Sequence, residues 1–210
     1  MPRPLFPLLA GLLAAGTALA QTAPAPPGLA RYLANAGHRR ALIAAAERAN
    51  EQMPGHCETV EITPGPLAAI ERPARFDAVG RPVDGMWVEA VAVKGCGATR
   101  RFNIMTVAAP DRTPEETALL PGTTAAPPLT QRFGIAHAIG AASLHEKSCA
   151  RFAVIDTRLD GPEAARAKGA WRETWTVWAC GALIDVPVHF APGKPRPELS
   201  VNPAEAVPRR

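Results

Sequence analysis

The segment Gly85-Met-Trp87-Val-Glu89-Ala-Val91-Ala-Val93-Lys-Gly-Cys96-Gly97-Ala98 recurs without gaps as Gly169-Ala-Trp171-Arg-Glu173-Thr-Trp175-Thr-Val177-Trp-Ala-Cys180-Gly181-Ala182. Seven of the fourteen positions are identical, a tryptophan and a cysteine among them, and residues this rare do not coincide by accident. A weaker, alanine-dominated match in the same order aligns His38–Cys57 on Thr130–Cys149, sharing Arg40/Arg132, Ile43/Ile135, Ala46/Ala138 and the cysteine. A period of about 90 residues is too long for a solenoid and describes two copies of one small unit.

Each unit reads as a helix followed by strands. Leu42, Ala45, Ala46, Ala49 and Met53 recur at helical spacing with Arg39, Arg40, Glu47 and Arg48 on other faces, which predicts an amphipathic helix stopped by Pro54-Gly55. Cys57–Ile62 predicts a strand closed by Pro64, Gly65 and Pro66. In the second unit the helix from about Leu129 to Leu144 is apolar nearly all round, so it is expected to be the more buried one, and Cys149–Thr157 is its strand. Within the repeated segment, Trp87, Glu89, Val91 and Val93 fall on one face of a period-2 strand, as do Trp171, Glu173, Trp175 and Val177. Gly97 and Gly181 mark tight reversals into Arg101–Val107 and Leu183–Phe190, and Pro187 predicts an edge position for the latter.

The predicted fold class is therefore α+β, two copies of a helix plus about three antiparallel strands with the helices packed on sheet. The first copy spans residues 29–108 and the second 129–192, with the proline-rich stretch 109–128 as linker. Residues 21–28 and 193–210 are rich in proline and poor in bulky apolar side chains, and are expected to stay disordered because they bury too little to offset their ordering entropy.

The N-terminus has the parts of a secretory signal peptide over residues 1–20: a positive start at Arg3, an apolar run from Leu5 to Leu13, and Ala18-Leu19-Ala20 as a small-x-small site for cleavage after Ala20. Pro4, Pro7, Gly11 and Gly16 interrupt the run, so it is a poor transmembrane anchor, and no later stretch is apolar enough to span a bilayer. The expected location is the periplasm. Removing Arg3 with the signal lowers the excess of basic over acidic residues from four (23 against 19) to three, too little to indicate a nucleic-acid partner.

Four cysteines, one pair per copy, predict two disulfides in an oxidising compartment. All three possible connectivities respect the repeat. Cys57 with Cys96 and Cys149 with Cys180 is the favoured pairing, because each bond then staples the first strand of a unit to its own hairpin. Closing loops of that size contributes roughly 3–4 kcal/mol per bond in the chain-entropy treatment.

Glu89 and Glu173 are the candidate catalytic residues, since a carboxylate on an apolar strand face is the kind of group that acts as a general acid or base, and two on facing copies would make a two-carboxylate hydrolase. The preferred reading is that each is a buried acid held by hydrogen bonds or an arginine. His38, His56, His137, His145 and His189 lack chelating spacing, and the chain holds no Gly-x-Ser-x-Gly elbow, phosphate loop or dinucleotide fingerprint, so no metal or cofactor is expected. Trp178 lies on the opposite strand face from Trp171 and Trp175 where the first copy has Lys94; it marks either an exposed aromatic binding surface or a contact beneath the second helix or the linker.

The combination Trp171-x-Glu173-x-Trp175-x-Val177-x-x-Cys180-Gly181, followed by Val186-Pro187-Val188-x-Phe190-x-Pro192, resembles a signature of uncharacterised exported proteins of Gram-negative bacteria. The first copy departs from it with Val91 in place of Trp175. The resemblance implies export to the periplasm and carries no known activity. The functional expectation is a non-catalytic binding or envelope-interaction module, its partner an envelope protein or a small ligand; the alternative is a small periplasmic hydrolase using Glu89 and Glu173.

Overall fold

The computed structural model describes residues 25–161 and 169–209, so the expected signal peptide lies outside the described residues. Helices α1 (Pro27–Leu33) and α2 (Ala36–Gln52) precede strands β1 (Glu61–Phe76), β2 (Pro82–Gly95), β3 (Ala98–Ala108) and β4 (Glu115–Ala118). Helix α3 (Pro128–Ser143) precedes β5 (Phe152–Asp160), β6 (Trp171–Ala179), β7 (Ala182–Ala191), β8 (Glu198–Val201) and the short β9 (Val207–Pro208). All pairings are antiparallel, in one sheet ordered β1-β2-β3-β4 and another ordered β5-β6-β7-β8 with β9 added to β7.

This corrects the expected fold class. The described residues are mostly antiparallel β, in sheets of four and five strands, rather than two copies of a helix with about three strands; the helices are unevenly shared, two before the first sheet and one before the second. The difference comes from segments expected to be linker or disordered tail. The linker supplies β4, and the tail supplies β8 and β9 because Leu199 and Val201 alternate with polar neighbours and pack on the second core. Even α1 starts at Pro27, inside the stretch expected to be disordered, since a proline at the first helical position already has helical φ.

Two further strand expectations change. Strand β1 runs straight through Pro64, Pro66 and Pro73, which is possible because it is an edge strand broken by repeated register shifts. Pro187 lies in β7, which is not an edge: β8 pairs with Val188–Ala191 and β9 with Ile184 and Asp185, so the missing N–H falls in the gap between those two partners.

The two Cys-Gly turns are alike. Cys96 and Gly97 have φ of 47° and 75°, Cys180 and Gly181 of 49° and 102°, the doubly positive pattern of a two-residue hairpin. Each turn cysteine is bonded to the cysteine preceding its sheet, Cys57–Cys96 with Cα atoms 5.9 Å apart and Cys149–Cys180 at 5.7 Å. A cysteine in the left-handed region costs energy, and the disulfide fixes it there.

The cores follow from the strand faces. Leu42, Ala45, Ala46 and Ala49 of α2 meet Val91, Val93, Phe102 and Ile104, while Leu29 of α1 covers Trp87. In the second half Ala138, Ala141 and Ala142 of α3 meet Trp175, Val177, Ile184 and Val186. Gly134 makes that approach possible: a Cβ there would stand 2.5 Å from the Trp175 ring. Helix α3 sets Ala138, Ala141 and Ala142 on the sheet with Ile135 and Ile139 packed beside them, while Leu129, Phe133 and the C-cap residue Leu144 stay exposed.

Candidate functional site

The period-2 geometry of β2 and β6 places each glutamate two residues beyond a tryptophan on the same face, and in both strands that indole donates to the carboxylate. Trp87 Nε1 lies 3.2 Å from Glu89 and Trp171 Nε1 3.0 Å from Glu173. What completes each carboxylate differs.

Glu173, fully buried, has both oxygens doubly occupied. Oε1 accepts from Trp171 Nε1 and from the backbone N–H of Ala125 at 2.7 Å; Oε2 accepts from Trp175 Nε1 at 2.8 Å and Thr124 Oγ1 at 2.8 Å. The linker is thus pinned to β6. From the other side Asn103 on β3 donates to the carbonyls of Leu120 (2.7 Å) and Gly122 (3.1 Å), and Gln131 on α3 bridges Leu120 N–H and Ala126 C=O. Thr123 N–H donates to Thr157 C=O at 2.7 Å. Gly122, at φ 92°, touches β5 so closely that a side chain would collide with the Thr157 backbone. Residues 119–126, part of the expected linker 109–128, therefore form a strap hydrogen-bonded to both sheets.

Glu89 has instead His38. The Asn35 side chain caps α2, accepting from Gly37 N–H at 2.7 Å and His38 N–H at 3.3 Å, and so sets the first helical turn over β2. His38 Nε2 lies 2.7 Å from Glu89 Oε1, and Nδ1 lies 3.7 Å from Glu116 Oε1, which β4 delivers by pairing Glu116 with Thr106. The Tyr32 ring lies 4.6 Å from the imidazole. Burial alone would lower the histidine pKa, but its hydrogen bonds and attraction to Glu116 and Glu89 outweigh that and raise it to about 9. The imidazole is then cationic at neutral pH; Nε2 hydrogen-bonds Glu89, whereas Nδ1 makes only the longer ion pair with Glu116 and has no hydrogen-bond partner. Burial, followed by the charges of Glu116 and Glu89, pushes the Tyr32 hydroxyl up to about 12.

The two glutamates belong to separate sheets and share no hydrogen-bond partner. Trp178 is half-buried and paired in register with Ala153 and Leu183. Among the described residues no three His, Cys, Asp or Glu side chains are grouped to hold a metal, and no helix is long and apolar enough to cross a membrane. Between the sheets runs a cleft of about 330 Å³ where Leu67, Ala69 and Val88 of the first sheet face strap residues Thr123–Ala126 and Leu159 of β5, with Arg101 and Gln131 among the polar lining.

Sequence reasoning missed His38, Glu116, Asn103 and Gln131. One signal was present: His38 aligns with Thr130 in the helical match, so the histidine is peculiar to the first copy. No protein-family model, curated protein or solved structure matches this chain.

Proposed function

We propose that this is an exported periplasmic protein that binds a small ligand or an envelope protein without transforming it. The observation that carries the reading is the state of Glu173, whose two oxygens already accept four hydrogen bonds and so have no capacity left for a substrate or a water nucleophile. Glu89 is likewise committed to His38 and Trp87 inside the protein, with only 4% of its surface exposed. The cleft between the sheets, lined by both polar and apolar side chains, is the binding surface this reading favours.

Export is supported by the signal-like residues 1–20, by the two disulfides and by the resemblance of the Trp171–Pro192 segment to exported Gram-negative proteins. Descent of the two halves from one duplicated unit is supported by the recurring Trp-to-Glu hydrogen bond and by the matching Cys-Gly turns.

The test is complementation of a knockout by the double variant Glu89→Gln/Glu173→Gln, with its melting temperature measured alongside. A lowered melting temperature, with function retained in proportion to folded protein, supports a binding scaffold. Unchanged stability with abolished function supports the hydrolase instead.

A further inference from the structure

We propose that the groove between α3 and residues 194–199 is a second site, which takes a small organic oxyanion, carboxylate or phosphate. One wall is the α3 stripe Thr130, Phe133 and His137, side by side at helical spacing. The other holds Lys194, Arg196 and Glu198, and the space enclosed is about 470 Å³, within the range of small-molecule sites.

The groove is built by close packing rather than by chance exposure. Gly134 seats α3 on Trp175 and on Leu199 of β8, where a Cβ would come within 2.7 Å of the leucine, and this draws the preceding loop against the helix. Gly193 lets that loop fold on itself, since a Cβ there would meet the Arg196 carbonyl at 2.5 Å.

Three features define the ligand. The Arg196 guanidinium lies over the Phe133 ring, 4.5 Å from its centroid, which holds in the groove a cation whose forked N–H groups suit bidentate recognition of an oxyanion. Among the described residues neither Arg196 nor Lys194 has an ion-pair partner. Deeper in the same wall Thr130 is 2% exposed, and its hydroxyl has no hydrogen-bond partner, an omission buried polar groups rarely tolerate. Phe133, largely exposed, offers an apolar surface to the uncharged part of the ligand. Glu198 is the one acid in the lining and leaves it net basic.

The experiment is calorimetric titration of the full oxidised chain with inorganic phosphate, with glutarate, and with glycerol as a neutral control. Saturable binding of an anion and none of glycerol is expected. Phosphate alone would assign a phosphorylated ligand, glutarate alone a carboxylate. Arg196→Gln and Lys194→Gln, both at exposed positions, should each weaken binding about tenfold while leaving the melting temperature unchanged. Absence of saturable binding by either anion, or binding unaltered in both variants, overturns the proposal.

Discussion

The imidazole of His38 lies 2.7 Å from the carboxylate of Glu89, wholly enclosed, with a second carboxylate, that of Glu116, 3.7 Å from its other nitrogen. The sequence alignment pairs this histidine with Thr130, so the first half carries a charged centre in its Trp-x-Glu site while the second half fills the corresponding site with backbone and hydroxyl from the strap.

That centre makes stability pH-dependent. The folded-state pKa of about 9 exceeds the ordinary value of 6.5, so the native state holds this proton more tightly than the unfolded chain does. The contribution is complete below about pH 6.5 and is lost as pH rises through about 9. Tyr32, with its pKa at about 12, stays neutral across this range. Urea midpoints measured from pH 6 to 10 should fall toward the alkaline end in the wild type, and His38→Gln should be less stable at pH 6 with a flatter profile. A wild-type midpoint that rises with pH contradicts the assignment.

Glu173→Ala strands two indole N–H groups, the Thr124 hydroxyl and the Ala125 amide in the interior. Unpaired buried donors cost about 1–3 kcal/mol each before relaxation, so a loss of roughly 2–4 kcal/mol is expected in chemical denaturation. A loss below about 0.5 kcal/mol, the range of ordinary surface substitutions, would show that the carboxylate is not a structural pin.

Asn103→Ala removes the side-chain donor to the Leu120 and Gly122 carbonyls and loosens the strap on the first sheet, where the backbone bonds from Leu119 N–H to the Asn103 carbonyl and from Gly122 N–H to the Arg101 carbonyl remain. A destabilisation of roughly 2–3 kcal/mol is expected, together with faster amide exchange across residues 119–126. Unchanged exchange there would mean that the strap is held without the Asn103 side chain, by its backbone bonds to β3 and by Gln131, Glu173 and Thr157.

Part of this was legible in the sequence. Alternation on Trp87, Glu89, Val91 and Val93, and the cysteine next to a turn glycine, require only local geometry, so the hairpins are legible, whereas the disulfide pairing stays a preference among three until the fold brings Cys57 to Cys96 and Cys149 to Cys180. The preference for hydrogen-bonded glutamates over catalytic ones rested on the cost of burying a charge, but their partners depend on which loops the fold brings across, and no local pattern announces a strap over Glu173. Proline content misled most. Pro187 was read as an edge marker, and the tail after Pro192 as disordered, because the alternation of Leu199 and Val201 is too short to outweigh the prolines before it until β7 offers a partner. The uniform apolarity of α3 does not say which side chains it buries: alanines with Ile135 and Ile139 take the core side, and Phe133 and Leu129 lie outside.

The account depends most on two oxidised, sheet-stapling cysteine pairs in an exported chain, and non-reducing peptide mapping of protein released from the periplasm tests this directly. Linked peptides joining Cys57 to Cys96 and Cys149 to Cys180, with a mature N-terminus at Gln21, are the predicted result. Free thiols throughout, crossed connectivity between the halves, or protein recovered only from the cytoplasm with residues 1–20 still attached would contradict it.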